Sequence, residues 1–272
     1  MRGYTLPPGN VQISFSGGRT SALMLFKLLS VCDGLPDRAK VVFSNTGKEH
    51  EGTMDFVHEV SHRWDVPIVW VEDADRGGPT LFDIVDHKTA SRNGEPFARL
   101  IKRKKACPDI SKRFCTEHLK MLPARRYLMS QGWENWTNAL GIRADEAHRK
   151  KPSTDKRVTR WFPLEDTTKR DVLDFWERMP FDLNIPAGYG NCTGCFLKSE
   201  SFLSSLARDS PKDHQWWVDQ EDIASSLTKS PGGARFRKSF TRRELGEFVE
   251  RQGDFAFEDG VLCQADDGEC TG

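Results

Sequence analysis

The stretch Val11-Gln-Ile-Ser-Phe-Ser-Gly-Gly-Arg-Thr-Ser21 most limits the folds open to this chain. Val11 to Phe15 is a short apolar-leaning run, and Ser16-Gly17-Gly18 is a turn signal. Arg19 to Val31 carries Ala22, Leu25 and Leu29 at helical spacing. The expected order is strand, glycine-rich turn, helix. Such a turn aims backbone N–H groups and the positive end of a helix at one point. Two glycines let main chain approach a phosphate closely, and Ser16 and Ser21 add hydroxyls. The spacing is neither the dinucleotide fingerprint nor the Lys-Ser/Thr phosphate loop. An ordinary strand-to-helix turn would read the same way, so the rest of the chain has to decide.

The pattern repeats downstream. Lys40 to Ser44 reads as a strand and runs into a polar turn, Asn45-Thr46-Gly47-Lys48-Glu49-His50-Glu51. Thr53 to Trp64 has helical spacing, Pro67 to Val71 is a third strand, and Thr80 to His87 is expected as a short helix. Strands alternating with helices predict a parallel twisted sheet covered on both faces. In such sheets ligands sit at the carboxyl ends of the strands, where both turns lie. Residues 88–113 are rich in Lys and Arg and read as a solvated loop or a phosphate-attracting lid. Phe114 to Gly132 is largely helical and Trp136 to Ile142 a strand. That strand delivers Gly141-Ile-Arg143-Ala-Asp145-Glu146-Ala-His148-Arg149, suited to phosphate neutralisation or to a salt-bridged loop. Thr167 or Thr168 starts another helix, and Met179 to Gly190 is a loop.

Beyond residue 198 the chain reads as a helical appendage. Candidate helices span Ser201 to Arg208, Lys212 to Leu227 and Thr241 to Arg251, the last with Thr241 and Glu244 in capping-box spacing. The expected division is a nucleotide-binding domain over 1–198 and an appendage with an acidic, cysteine-bearing tail over 199–272.

Lys and Arg total 40, as do Asp and Glu, so a global charge attraction to nucleic acid is not implied. No apolar run approaches the roughly 18 residues of a membrane span, and the first residues lack an apolar signal core, so a cytoplasmic setting is expected. Seven cysteines in a reducing compartment point to metal ligands, catalytic thiols or buried small residues rather than disulfides. Cys192-x-x-Cys195 can grip one metal or one cluster edge, and with Cys107 and Cys115 four thiolates are available for zinc or for a [4Fe–4S] cluster. Cys32 reads as a core residue. Cys263 and Cys270 lie in a polar tail where redox or nucleophilic chemistry is open.

Taken together the motifs resemble the PP-loop nucleotide enzymes, and within them the phosphoadenosine phosphosulfate (PAPS) reductase-like branch. The likeness runs over roughly 11–198. Ser16-Gly17-Gly18-Arg19-Thr20-Ser21 resembles the SGGxxS loop that holds phosphate, and Asn45-Thr46-Gly47 the second-strand motif. Cys115 with Lys120 and Pro123, Gly141-Ile-Arg143 with Glu146 and Arg149, Phe162-Pro163-Leu164 through Val172, and Cys192 with Cys195 match further elements. The resemblance implies an adenine-nucleotide α-hydrolase-like fold with ATP or PAPS and Mg²⁺ at the first loop. It also implies nucleotide contacts from the residues quoted, charge stabilisation by Arg143 and Arg149, and a [4Fe–4S] cluster, or Zn²⁺, on Cys107, Cys115, Cys192 and Cys195. Cluster-bearing reductases have adjacent cysteines where this chain has Cys115-Thr116, so Cys107 would supply the missing ligand, or the cluster would have three protein ligands. They end in Glu-Cys-Gly-(Ile/Leu)-His, where this chain ends Gly268-Glu269-Cys270-Thr271-Gly272. Such departures are similar to those of reductase-like proteins carried by phages and mobile elements.

Two chemistries follow. In the first, ATP adenylates a substrate, pyrophosphate leaves, and sulfur or nitrogen then displaces AMP. The acceptor would be a nucleic-acid base, and the cluster would bind or donate sulfur. In the second, Cys270 attacks the sulfur of a phosphosulfate and a thioredoxin-like donor resolves the product. A non-catalytic module binding zinc and nucleic acid is the third reading. A homo-oligomer is expected in each.

Overall fold

The computed structural model describes residues 4–32, 34–74 and 81–252. Cys263 and Cys270 lie outside them. The strands are β1 (Asn10–Phe15), β2 (Ala39–Ser44), β3 (Ile68–Ala74), β4 (Leu81–Val85), β5 (Trp136–Ala139) and β6 (Val158–Trp161). They form one sheet in the order β4-β3-β2-β1-β5-β6. Every pairing is parallel except β3 with β4. The helices are α1 (Arg19–Cys32), α2 (Glu51–Arg63), α3 (Glu95–Lys104), α4 (Leu122–Ser130), α5 (Lys169–Trp176), α6 (Glu200–Asp209), α7 (Pro211–Leu227) and α8 (Arg242–Gln252). None is long and apolar enough to cross a membrane.

Successive strand residues point to opposite faces, so each parallel strand feeds two cores. Ile13, Val41 and Phe43 join Leu25 of α1, Val57 of α2 and Trp176 of α5 on one face. Val42 and Val71 meet Ala124, Tyr127 and Leu128 of α4 on the other. That second layer covers only part of its face. Over β1 and β5 the residues pointing there include Gln12, Ser14, Trp136 and Asn138; Trp136 joins the α4 core, and no described helix covers the three polar side chains. The consequence is a cavity, described below.

Two local expectations are corrected. Residues 81–85 are not helical: Trp70 pairs with Val85 and Ala74 with Leu81 in an antiparallel edge strand. Residues 88–113 are not a solvated loop throughout. Phe97, Leu100 and Ile101 of α3 are buried, while Lys102 and Lys104 face out. These three contribute to a separate core with Leu119, Phe196, Leu197, Trp217, Ala224 and Phe236. That core joins α3 and the cysteine-bearing turn to α7. The Thr241–Glu244 capping box forms as expected, with the Thr241 N–H donating to Glu244 at 2.7 Å and the Glu244 N–H to Thr241 Oγ1 at 3.1 Å.

Phe97→Ala should therefore cost about 3–5 kcal/mol by cavity formation, whereas Lys102→Ala should stay within about 0.5 kcal/mol. Urea unfolding checks both. Equal effects would mean that α3 is not a core element.

Candidate functional site

Gly17 adopts φ +79°, and a Cβ built there would lie 2.6 Å from Thr53 Cγ2. The first loop therefore needs glycine for conformation and for space. Ser21 closes the loop from within. Its hydroxyl donates to the Gly18 carbonyl at 2.9 Å and accepts the Ser16 N–H at 3.2 Å. Ser21 thus shapes the turn, while Ser16 faces the cavity. Arg19 points away from it and forms a bidentate pair with Asp182 at 2.7 and 2.8 Å. Thr20 is fully buried and accepts from Arg143 Nη1 at 3.1 Å. Gly141 passes the loop closely, since a Cβ there would stand 3.5 Å from Ser21 Cα.

Arg143 itself is buried, with Nε donating to Asp145 at 3.0 Å. Glu146 accepts from Arg149 and stands 3.8 Å from Arg143. Neither arginine lines the cavity. Together they brace the first turn of α1 from beside Thr20.

The second turn is fixed just as tightly. Asn45 donates to Glu72 at 2.6 Å and to the Ser91 carbonyl at 2.8 Å, and accepts the Gly47 N–H at 3.0 Å. Gly47, at φ +80°, accepts the Gly94 N–H through its carbonyl at 2.7 Å and has no room for a side chain against Pro96. Thr46 donates to Glu49 at 2.8 Å and lies 3.3 Å from Cys192 Sγ. Asn45, Thr46 and Gly47 are thus the turn's scaffold, and Glu49 is the group it presents to the cavity.

That cavity has a volume of about 830 Å³, ample for a nucleotide. Its floor is Gln12, Ser14 and Asn138, joined by hydrogen bonds of 3.2 and 2.8 Å. Trp136 Nε1 donates to Gln12 at 3.0 Å. Its walls carry Lys120, Arg125, Lys156, Arg157 and Arg160 against Glu49, Glu117 and Asp155, an excess of positive charge suited to phosphates. At one end stands Asn191, a buried residue at φ +59°. Neither Asn191 Oδ1 nor Nδ2 has a hydrogen-bond partner among the described residues. A buried amide with a free donor and a free acceptor marks a ligand contact. Asn138, Arg157, Arg160 and Asn191 carry no motif. The polar alternation Gln12, Ser14, Ser16 along β1 was the available signal for the floor.

The thiols begin where Asn191 ends. Thr193 N–H donates to the Lys48 carbonyl at 2.7 Å, and Glu49 pairs with Cys192 in an isolated antiparallel bridge. Burial pushes three thiols up: Cys115 to about 12, with Cys107 and Cys192 also well above the ordinary range. Cys195 raises Cys115 further, Glu49 and to a lesser extent Cys195 raise Cys192, and Lys120 opposes this at both. Cys107 lies in the core that the other three border, its Sγ 3.9 Å from the Gln220 carbonyl and near Glu221 and Arg242. Tetrahedral zinc needs sulfurs about 3.8 Å apart. Among the described residues no three of these thiols lie within 4.8 Å of one another. Cys115, Cys192 and Cys195 all border one buried core, and Cys195 acts electrostatically on both of the others, so the donor chemistry suits a thiolate-bound group.

Residues 10–185 match the phosphoadenosine phosphosulfate reductase domain family, and the chain belongs to it. The fold and the glycine-rich loop thus define a PP-loop, nucleotide-binding class of protein. An uncharacterized nin region protein, ORF290, of Escherichia phage lambda is 36% identical over 204 residues, covering 72% of this chain and 69% of that one. Two solved structures are more distant. The PAPS reductase of Candida auris, in a phosphate complex, is 15% identical with a TM-score of 0.42, covering 65% of this chain and 76% of that one. The U34-tRNA thiolase NcsA of Methanococcus maripaludis, with its [4Fe-4S] cluster, is 16% identical with a TM-score of 0.39, covering 89% and 81%.

With its proton held this firmly, Cys115 in metal-free protein should alkylate at least about 100-fold more slowly at pH 7 than an exposed cysteine. Peptide mapping after iodoacetamide treatment measures it. Rapid labelling of Cys115 would mean that its environment is more polar than described.

Proposed function

We propose that this protein is an adenine-nucleotide-dependent PP-loop enzyme that adenylates a substrate for sulfur or nitrogen transfer. The observation carrying this reading is the single cavity that runs from Ser16 to Asn191, so that one wall belongs to the glycine-rich loop and the far end abuts the Cys192 turn. A triphosphate would lie against the Ser16 turn and the N-terminus of α1, with Lys120, Arg125 and Arg157 neutralising it. Glu49 is the carboxylate that would take Mg²⁺. A substrate oxygen attacks the α-phosphorus, pyrophosphate leaves, and AMP is displaced in the second step. The donors around the cavity stabilise charge as it develops on the phosphoryl oxygens. Asn191 would orient the acceptor at the thiol end.

Cys115, Cys192 and Cys195 would hold a [4Fe–4S] cluster, with Cys107, in the same core, as the fourth thiol. Such a cluster supplies a binding place for sulfur. Burial that keeps Cys115 and Cys192 protonated argues against either as a free nucleophile, and a bound metal would have to displace those protons. An acceptor in a nucleic acid remains part of the proposal, with the exposed Lys104, Lys105, Lys112 and Arg113 as its electrostatic support.

The family itself favours a second reading, reduction of a sulfonucleotide with Cys270 as nucleophile and a thioredoxin-like donor. Incubation with ATP and with PAPS separates the two. Pyrophosphate release that falls about 100-fold in Lys120→Met and Asn191→Leu supports adenylation. Sulfite release from PAPS, abolished by Cys270→Ser, would replace it with reduction.

A further inference from the structure

The most anomalous charge among the described residues lies outside the family match. Arg242 opens α8 and is 1% exposed. Its Nη2 donates to the Gly194 carbonyl at 2.6 Å, inside the Cys192–Cys195 turn. Its Nε and Nη1 have no hydrogen-bond partner among the described residues, and no ion pair within 4.0 Å involves it there. One face of the guanidinium lies 5.4 Å from the Trp217 ring centre. Glu221, the carboxylate whose charge favours it most, accepts from Phe236 N–H at 2.9 Å and from the Arg242 backbone N–H at 2.6 Å, and makes no bond to the guanidinium. Burial lowers the Arg242 pKa only to about 10, so the group stays charged at neutral pH. The other groups whose charge favours it are Cys195 and Cys107.

Glu221 favours the Arg242 charge, but two buried guanidinium N–H groups left without acceptors are still unfavourable. We infer that Arg242 is a positioning residue for the thiol site: held on the Gly194 carbonyl, it sets a fixed positive charge and two unpartnered donors beneath the turn that would carry an anionic cofactor. The inference rests on the cluster reading above. It gives the appendage a role. Trp217 Nε1 donates to the Thr193 carbonyl at 2.8 Å, and its ring fills the space a side chain on Gly194 would need. Arg237 donates to the Phe196 carbonyl at 2.9 Å. The appendage therefore grips the cysteine turn by its carbonyls and brings one permanent charge beneath it. That charge favours the anionic, ligated state over the empty one, and the reduced cluster over the oxidised one, because reduction adds a negative charge.

The test compares wild type with Arg242→Met and Arg242→Lys after anaerobic reconstitution with iron and sulfide. Iron and sulfide per chain and absorbance near ~400 nm report the cluster. Midpoint potential by EPR-monitored titration, and the rise in Tm on loading, report the charge. Arg242→Met should retain the cluster at least about tenfold less tightly, titrate at a more negative potential, and gain less Tm on loading. Arg242→Lys should restore most of the potential. Where the Met variant does not fold, Arg242→Gln replaces it, because Gln keeps a donor for the Gly194 carbonyl. Loaded variants with wild-type potential, retention and Tm gain would overturn the role of Arg242 alone. A Lys variant indistinguishable from the neutral one would also overturn it, since geometry rather than charge would then matter. Wild type that takes up no iron would overturn the cluster reading and this inference with it.

Discussion

The hydrogen bond from the Thr193 N–H to the Lys48 carbonyl, 2.7 Å long, holds the two halves of the site together. Alone it contributes on the order of 1 kcal/mol. Its importance is positional. Lys48 belongs to the turn after β2, and Thr193 to the turn that carries Cys192 and Cys195. With the Glu49–Cys192 bridge and the 3.3 Å approach of Thr46 to Cys192, it locks the thiols to the carboxyl edge of the sheet. The turn can act as an anchor because its own polar groups are satisfied beneath it, by Glu72, Ser91 and Gly94. A half-satisfied network there would let the cysteine turn drift, since unpaired buried groups seek other partners.

The cavity has an equally simple origin. One face of the sheet is apolar across β2 and β3, where α4 packs, and largely polar across β1 and β5, where Trp136 joins the α4 core but no described helix covers the polar side chains. Gln12, Ser14 and Asn138 hydrogen-bond to one another, and Trp136 reaches Gln12. Their mutual satisfaction lets a polar strip exist at the centre of a parallel sheet without a covering helix. Parallel strands are usually buried on both faces. The exception on β1 and β5 is what opens the space beside the glycine loop.

This physical picture explains which parts were legible in the chain. The strand–turn–helix at 11–31 and the second turn at 45–51 were readable because glycine positions and hydrophobic spacing are local signals. The capping box at Thr241 was readable for the same reason. The edge strand at 81–85 was not. Leu81, Ile84 and Val85 fit helical spacing, and only pairing with β3 makes them extended. In residues 88–113 the density of Lys and Arg obscured Phe97, Leu100 and Ile101, whose i, i+3, i+4 spacing was present all along. The site was legible by motif but not by role. Arg143, Arg149, Asn45 and Thr46 match family elements, yet their side chains are spent bracing the two turns. The groups presented to the cavity, among them Asn138, Arg157 and Asn191, depend on strand register and loop return, which single-sequence patterns do not encode.

The division of charge bears on how two anionic ligands could share so small a region. On the proposed reading the nucleotide's phosphates meet the cations of the cavity wall, while the thiolates meet Arg242 from the opposite side of the Cys192 turn. Between them stands Asn191, which carries no charge and leaves both amide ends open. A cation at that position would bind phosphate and block the acceptor, and a carboxylate would repel both ligands. A neutral donor–acceptor pair admits a polar acceptor without trapping either anion. Lys120 is the exception, since it lines the cavity and its charge also reaches Cys115 and Cys192. It is the one cation placed to act on both ligands, so its removal should weaken nucleotide and thiolate binding together, whereas Arg242 acts on the thiols alone.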